Sequence, residues 1–340
     1  MSALMDHHQI ARDLIELESI TGNEEPVVAY LEKRLGELGL DVRSEEVAPG
    51  RRNLVAGPEN PALIFCTHTD TVPPYVPLSE DAEFIYGRGA CDTKGITACF
   101  LAAGKRLLAE GLDDFGYLFV VGEEVDNIGA VAANRSVRCG HLVVGEPTEN
   151  KLALGHKGAL GARVKVEGRA CHSAYPEEGD SAIHRLLGYL RQVLRADFGS
   201  SELLGPATVN IGGIEGGVAH NVLAPSAAAE VMIRVVSDIG EVERRLVECF
   251  VDPATGKQDE KVTIEVTLRM ESPAFERLEG FQETVVFYGT DAPFLLDVGK
   301  LVLFGPGSIV DAHTEGEKIS KAAMDEGVES YVRMGRLLID

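Results

Sequence analysis

The spacing of apolar side chains divides the chain into alternating helix-like and strand-like segments. Apolar residues between Ile10 and Leu17 recur at helical spacing until Thr21-Gly22-Asn23 interrupts them, and a second helical pattern follows Pro26. Short continuous apolar runs predict strands that are buried on both faces of a sheet. Strands are predicted over residues 62–67, 117–121, 141–144 and 301–304, and further helices over about 94–110, 126–134 and 319–338. Strands that alternate with helices predict an α/β domain with a mixed sheet between helices.

The middle of the chain follows a different pattern. It predicts a strand at about 158–166, a helix at 179–197, strands at 206–211 and 227–235, a helix at 238–251 and a strand at 261–268. The order βαββαβ is typical of a compact, ferredoxin-like α+β unit. Because the α/β pattern resumes afterwards, we expect this unit, 158–269, to be inserted into a catalytic domain formed by 1–157 and 270–340.

The composition limits the partners that we expect. The 54 acidic and 32 basic residues give a formal net charge of −22. Such a surface repels phosphate backbones and anionic lipids, so the sequence predicts neither nucleic-acid nor membrane binding. No apolar run approaches the ~20 residues of a membrane-spanning helix, and the first residues lack the apolar block of a signal peptide. Six scattered cysteines without a C-x-x-C pair are typical of a reduced, cytoplasmic protein.

Residues that can bind metal follow the predicted strands of the outer domain. They are His68 and Asp70, Asp92 after a glycine-rich turn, Glu123 and Glu124, Glu146, and His313 near the C-terminus. In open α/β sheets, ligands gather outside the carboxyl ends of the strands. Taken singly, each residue has an ordinary structural explanation, such as helix capping by Asp92. Together, these carboxylates and two imidazoles suit a pair of divalent cations, without which the carboxylates would repel one another.

Six motifs, in this order along the chain, resemble those of one enzyme family. They are HTDTVPP, YGRGACDTKG, GEEVDNIG, GEPT, GRACHSAYPEEGDSAI and FGPGSIVDAHTEGEKIS. The family is the co-catalytic zinc metallopeptidases, which include acetylornithine deacetylase, succinyl-diaminopimelate desuccinylase, N-acetyl-lysine deacetylase, aminoacylase and carboxypeptidase G. The resemblance covers nearly the whole chain. It implies a catalytic domain that holds two metal ions and an inserted βαββαβ domain that usually forms a homodimer.

The resemblance also implies a set of metal ligands. His68 and Glu146 match the ligands of one metal ion. Glu124 and His313 match the ligands of the other, and Asp92 matches the carboxylate that bridges the two ions. The expected cofactors are two Zn²⁺ ions, for which Co²⁺ can substitute because it accepts the same ligands.

Two further residues of the outer domain match catalytic and supporting positions. Glu123 matches the general base. Because Glu123 and Glu124 are adjacent, their side chains point in different directions on an extended backbone, so one can bind metal while the other faces the water. Asp70 matches the residue that orients the imidazole of His68. The resemblance also implies a cis peptide bond between Asp92 and Thr93.

The inserted domain is expected to contribute to the site as well. His172 matches the histidine that reaches across a dimer into the partner's active site, where it helps to stabilise the tetrahedral oxyanion. Asn221 matches a residue that contacts the substrate, and Arg234 matches the arginine that binds the substrate carboxylate. Backbone N–H groups around Gly307, in the outer domain, are expected to bind the same carboxylate.

The motifs indicate amide hydrolysis but leave several substrates open. The segments GTDAPF and FGPGS resemble the N-acetyl-lysine and acetylornithine branches, so the predicted reaction converts N-acetylornithine to ornithine and acetate in arginine biosynthesis. N-acetyl-lysine, N-acetyl-citrulline and N-succinyl-diaminopimelate are competing substrates, and a di- or tripeptidase is a further alternative. A non-catalytic binding protein is disfavoured because every ligand position holds a competent residue. The acidic surface would repel an acidic carrier protein, which favours a free, small substrate.

Overall fold

The computed structural model describes residues 6–252 and 255–339, and the chain forms two units. Unit 1 contains the chain up to Leu154, together with Ala274–Val286 and the residues from Thr290 onward. Unit 2 contains Gly155–Pro273 and the short segment Phe287–Gly289. Each unit has its own hydrophobic core.

Helices and strands alternate through most of the described chain. The α-helices are α1 (His7–Glu16), α2 (Glu25–Glu37), α3 (Gly95–Ala109), α4 (Ile128–Ser136), α5 (Ala182–Val193), α6 (Ile239–Glu248) and α7 (Lys321–Leu338). The strands are β1 (Val42–Ala48), β2 (Arg51–Ala56), β3 (Leu63–His68), β4 (Ser79–Glu80), β5 (Phe84–Tyr86), β6 (Phe115–Val120), β7 (His141–Val144), β8 (Leu152–His156), β9 (Gly158–Glu167), β10 (Ser200–Ser201), β11 (Gly205–Pro206), β12 (Thr208–Gly216), β13 (Ser226–Val235), β14 (Val262–Met270), β15 (Glu283–Val286), β16 (Lys300–Leu303) and β17 (Lys318–Ser320). An irregular turn, Ala90–Lys94, in which Asp92 and Thr93 have non-helical backbone angles, leads directly into α3.

An eight-stranded sheet forms the centre of unit 1, in the order β1-β2-β6-β3-β7-β16-β8-β15. The neighbours β6, β3, β7 and β16 are parallel, whereas β2 and β8 pair antiparallel with β6 and β16. All residues of β3 and β6 are buried, which explains why these strands are continuous apolar runs in the sequence. The predicted α/β class with a mixed sheet is confirmed.

Aromatic side chains join α3 and α7 to this sheet. Phe65 of β3, Phe100 of α3 and Tyr331 of α7 are fully buried, and their ring centroids lie 4.6 to 5.8 Å apart. The hydroxyl group of Tyr331 donates a hydrogen bond to the carbonyl oxygen of Phe304 at 2.9 Å, so its polar atom is satisfied. Burial of each ring contributes on the order of 1.5–3 kcal/mol to folding. These contacts hold α3, which follows the turn at Ala90–Lys94, and α7 against the sheet.

Unit 2 has the βαββαβ order predicted from the sequence. Its main sheet is antiparallel, in the order β12-β13-β9-β14, and α5 and α6 pack into one apolar cluster with it. The side chains of Ser181 and Asp238 accept hydrogen bonds from backbone N–H groups at the starts of these helices. The predicted helix start at 179 was too early, because Ser181 takes the extended capping conformation.

The apolar pattern did not predict the hairpin of β1 and β2 at one edge of the large sheet. Residues of β1 are exposed or half-buried, and several of them are charged. Charged side chains are common on edge strands, where they discourage pairing with other chains, and they hide the apolar alternation. Gly50, with φ 72°, lies in the turn between the two strands, a conformation that favours glycine.

None of the helices within residues 6–252 and 255–339 combines the length and the apolar character that a membrane-crossing helix needs. The six cysteines are free thiols, in agreement with their scattered positions in the sequence.

We expect Gly104→Ala to destabilise unit 1. A Cβ atom at Gly104 would lie 1.7 Å from the Tyr117 hydroxyl oxygen, which donates a hydrogen bond to the carbonyl oxygen of Phe100. Overpacking of this kind should lower the free energy of unfolding by about 1–3 kcal/mol. The matched control is Gly36→Ala in α2, where a Cβ would meet no atom within 4 Å and stability should rise by up to ~1 kcal/mol. Urea unfolding measures both, and equal effects would contradict the packing argument.

Candidate metal centre

The side chains of the candidate site follow adjacent parallel strands of unit 1. His68 is the last residue of β3, Glu123 and Glu124 follow β6, and Glu146 follows β7. Because β6, β3 and β7 are neighbours that run in the same direction, their carboxyl ends bring these residues to one edge of the sheet. His313 lies in the loop after β16 with φ 62°, a backbone conformation that is uncommon outside glycine.

Asp92 reaches the same edge from the turn that precedes α3. Its backbone N–H donates a hydrogen bond to Glu317 Oε1 at 3.2 Å, and Arg88 holds Glu317 through a contact of 2.5 Å. The hydroxyl group of Thr93 donates to the carbonyl oxygen of His68 at 3.1 Å. The peptide bond between Asp92 and Thr93 is cis, as the family resemblance implies. The turn is therefore tied to both β3 and the loop near the C-terminus.

Two groups of potential ligands share the carboxylate of Asp92. In the first group, His68 Nε2 lies 2.9 Å from Asp92 Oδ1, and Glu146 is the third member. In the second group, His313 Nε2 lies 3.2 Å from Asp92 Oδ2 and 3.1 Å from Glu124. The ligand atoms within each group lie within 4.8 Å of one another. Oδ1 of Asp92 therefore faces the first group and Oδ2 faces the second. This is the position expected of a carboxylate that bridges two metal ions.

The carboxylates of the site have little access to solvent. Asp92 and Glu146 are only 5% and 4% exposed. Burial, and next the charge of Asp92, raise the pKa of Glu146 well above its usual value. Burial also opposes the charge of Asp92, but hydrogen bonds from His313 and His68 hold its pKa below the usual range. The donor set of imidazoles and crowded carboxylates fits Zn²⁺ or Co²⁺, which would offset the repulsion between the carboxylates.

Glu123 lies beside these ligands. Its carboxylate belongs to a third group, with His68 and Glu124, whose ligand atoms also lie within 4.8 Å of one another. Burial raises the pKa of Glu123 well above its usual value, and the charge of Glu146 adds to this effect while His68 opposes it. A carboxyl group with a raised pKa beside a cluster of ligands is suited to accept and release protons.

The carboxylate of Asp70 mainly binds the loop that carries Glu123 and Glu124. It accepts hydrogen bonds from the backbone N–H groups of residues 122–124 at 3.0 to 3.2 Å, and from the Thr21 hydroxyl at 2.8 Å. The Nδ1 atom of His68 lies 3.0 Å from the backbone carbonyl oxygen of Asp70 and 3.6 Å from its carboxylate. The nearer partner of the imidazole is therefore the main chain of Asp70, whereas the sequence predicted a role for its side chain.

Asp291 is a buried carboxylate near the site to which the sequence assigned no role. It is 2% exposed, and burial raises its pKa to about 7. Asn127 Nδ2 donates to Asp291 at 2.9 Å and to the carbonyl oxygen of Glu123 at 3.2 Å. Asp291 therefore supports the loop of the proposed base through Asn127. The segment GTDAPF, which contains Asp291, is the feature of the sequence that could have identified this residue.

Gly307 lies next to the turn of Asp92. Its φ is 96°, and an added Cβ would lie 2.7 Å from the sulfur of Cys91. Its carbonyl oxygen accepts the backbone N–H of Glu149 at 2.8 Å. Glycine is therefore required here both by the backbone conformation and by the close approach of Cys91.

The other predicted residues belong to unit 2. His172 and Asn221 are exposed, and Arg234 is half-buried near the end of β13. The backbone N–H of Ser173 donates to the carbonyl oxygen of Asn221 at 2.9 Å, so the segments of His172 and Asn221 are adjacent. The structure thus brings these two residues near each other within unit 2, and their roles in catalysis stay predictions.

Comparison with known proteins identifies the family. A peptidase M20 domain-containing protein of Schizosaccharomyces pombe is 40% identical over 337 residues, which cover 95% of this chain and 82% of that protein. The chain belongs to the M20 peptidase family. A family model described as the peptidase dimerisation domain matches residues 154–254 of this chain. The zinc metallopeptidase family that the motifs resemble is therefore confirmed at the level of the broad family.

Two further relatives extend this comparison. A probable carboxypeptidase of Aspergillus clavatus is 35% identical over 374 residues, which cover 98% of this chain and 82% of that protein. The crystal structure of a tripeptidase from Staphylococcus aureus has a TM-score of 0.79 and 20% sequence identity, over 99% of this chain and 100% of that chain. The chain therefore shares its fold with a tripeptidase of known structure and its sequence family with a probable carboxypeptidase.

We expect Asp70→Asn to loosen the loop that carries Glu123 and Glu124. The carboxylate accepts hydrogen bonds from three backbone N–H groups and from Thr21, whereas an amide would turn an NH₂ group toward some of these donors. The free energy of unfolding should fall by about 1.5–3 kcal/mol. Thr21→Val is the matched control, since it removes one neutral donor and should lower stability by only ~1 kcal/mol. Urea unfolding measures both; an Asp70→Asn protein as stable as the wild type would exclude this role.

Proposed function

We propose that this protein uses two divalent metal ions to hydrolyse the amide bond of an N-acyl amino acid. The observation that carries the proposal is the position of Asp92, whose two oxygens face different groups of potential ligands. Glu123 belongs to neither of these two groups but lies beside them. Two metal positions with an adjacent general base are an arrangement suited to amide hydrolysis, in which a poor electrophile must be activated.

The residues that would hold the ions divide between the two groups. We assign His68 and Glu146 to one ion, Glu124 and His313 to the other, and Asp92 to both. Zn²⁺ is the proposed metal, and Co²⁺ accepts the same ligands. When bound, such ions polarise the amide carbonyl group and lower the pKa of water towards neutrality.

Glu123 is the proposed general base and acid. Its carboxylate accepts a proton from the attacking water and donates it to the amide nitrogen, which then leaves as an amine. The raised pKa of Glu123, which burial causes, favours retention of this proton between the two steps. The hydrogen bond from its backbone N–H to Asp70, at 3.1 Å, keeps the loop in place during both transfers.

The proposed substrate class is inferred from the family and from the predicted substrate-binding residues. N-acyl amino acids and peptides share an amide bond beside a free carboxylate. Arg234 and the backbone N–H groups around Gly307 are proposed to bind that carboxylate, and Asn221 is proposed to contact the rest of the substrate. His172 would stabilise the oxyanion of the partner's site in a homodimer formed through the inserted domain. The match of residues 154–254 to the peptidase dimerisation domain supports the homodimer.

N-acetylornithine is the first candidate substrate, because GTDAPF and FGPGS resemble the acetylornithine branch. The relative named as a probable carboxypeptidase supports a second candidate, a peptide from which the C-terminal residue is released. Both reactions break an amide bond next to a residue with a free carboxylate. They differ in the acyl side, which is acetate in the first case and a peptide in the second.

We expect Glu123→Gln to retain metal but lose turnover. The amide cannot accept the proton, so kcat should fall by about 100- to 10,000-fold, whereas the metal ligands stay unchanged. Glu124→Gln is the matched control at the neighbouring position, and it should lower the metal content as well. Steady-state kinetics and metal analysis of the purified proteins measure both quantities. A parallel loss of metal and activity in Glu123→Gln would assign the base to another residue.

A substrate panel tests the function itself. N-acetyl and N-succinyl amino acids and short peptides would be assayed after metal removal by a chelator and again after addition of Zn²⁺ or Co²⁺. We expect no activity without metal and recovery with either ion, with N-acetylornithine as the preferred substrate. Preference for peptides with a free C-terminus would instead support the carboxypeptidase. Full activity in the metal-free protein would contradict the proposed mechanism.

A further inference from the structure

A cluster of metal-ligand side chains lies where the first and last helices of the described chain meet. His7 and His8 are the first two residues of α1, and Asp325 lies near the start of α7. His7 Nε2 lies 2.7 Å from Asp325 Oδ1, and His8 Nε2 lies 3.2 Å from the same oxygen. None of the three residues belongs to the candidate metal centre described above.

The three ligand atoms are close enough to bind one ion. They lie within 4.8 Å of one another, and the two imidazole rings are 4.3 Å apart at an angle of 55°. Ligands of a tetrahedral zinc ion, each about 2.0–2.1 Å from the metal, lie roughly 3.3 Å from one another. The separation of 3.2 Å between His8 Nε2 and Asp325 Oδ1 is close to this value. The separation of 2.7 Å between His7 Nε2 and Asp325 Oδ1 is a hydrogen-bond distance, which would lengthen by roughly 0.6 Å on metal binding. The carbonyl oxygen of Lys321, 3.2 Å from His8 Nε2, supplies a further oxygen.

The imidazole groups are shielded from solvent in a way that suits metal binding. The side chains of His7 and His8 are 18% and 22% exposed, whereas Asp325 is 60% exposed. Burial lowers the pKa of His7, although the hydrogen bond with Asp325 opposes this effect. A neutral imidazole is the form that binds a metal ion, and the exposed carboxylate leaves a path by which the ion can enter.

The charges around the cluster also favour a cation. The cluster borders a cleft of about 440 Å³, whose lining includes His7, Asp325, Asp6, Arg106 and Glu329. The guanidinium group of Arg106 donates two hydrogen bonds to Glu329, so this pair is neutral as a whole. The carboxylates of Asp6 and Asp325 then give the cleft an excess of negative charge, which attracts cations.

We propose that His7, His8 and Asp325 form a structural zinc site that ties α1 to α7. Nitrogen from two imidazoles and oxygen from a carboxylate are ligands that zinc accepts, and water or the carbonyl oxygen of Lys321 would complete the four positions. The ion takes the place of the protons through which the imidazoles otherwise bind Asp325. It therefore strengthens the contact between the first and last helices and takes no part in hydrolysis.

Zinc binding by the intact 340-residue chain tests this site. After dialysis against buffered, micromolar free Zn²⁺, we expect mass spectrometry of the metal to find one equivalent less per chain in His7→Gln/His8→Gln than in the wild type. Anomalous scattering at the zinc edge should place an ion between His7, His8 and Asp325 in wild-type crystals. Hydrolytic activity should be the same in both proteins, because these residues lie outside the catalytic groups. The difference in zinc content is informative whether or not the proposed function is correct.

Two further variants make the test specific. Asp325→Asn keeps the shape of the side chain and should also lose one equivalent of zinc, which covers the case in which the double histidine variant does not fold. His184→Gln changes an exposed histidine of α5 and should retain all of the zinc. Equal zinc content in the wild type and Asp325→Asn would show that the cluster is an ion pair only and would overturn the proposal. Loss of the same equivalent in His184→Gln would overturn it as well.

Discussion

The position of the Asp92 carboxylate is the constraint on which the candidate centre depends. Its two oxygens lie 2.9 Å from His68 and 3.2 Å from His313, so a shift of this one side chain would disturb both groups of ligands. The main chain of Asp92 is held by Glu317, and the next residue, Thr93, is held by β3. Because the same turn begins α3, the geometry of the site is coupled to the packing of this helix on the sheet.

The site must also hold several carboxylates close together with little solvent. Part of this repulsion is offset by hydrogen-bond donors: backbone N–H groups for Asp70, an amide side chain for Asp291 and a guanidinium group for Glu317. Burial raises the pKa of Glu123 and Glu146 well above the usual value, and it raises the pKa of Asp291 to about 7 despite the hydrogen bond from Asn127. Carboxylates that burial disfavours in their charged form are the ones that gain most from a nearby cation.

Much of this arrangement could be predicted because it follows from local patterns. Continuous apolar runs predicted β3, β6 and β7, and parallel strands that end at one edge bring His68, Glu123 and Glu146 near one another. The contacts of Asp70 were predicted incompletely, since backbone N–H donors look the same in every sequence. Asp291 was missed because its proximity to the site depends on contacts between distant parts of the chain. The edge hairpin was missed because charged residues mask the alternation in β1.

The sequence by itself determined the family, the α/β class, the βαββαβ order and the identity of the residues at the strand ends, because periodicity and motif order are properties of neighbouring residues. Only the tertiary structure decided which oxygen of Asp92 faces which histidine, and that Asp70 holds the loop of the proposed base. It alone brought His7 to Asp325, which lies 318 positions away. No local pattern relates such residues, because their proximity results from the packing of helices at opposite ends of the chain.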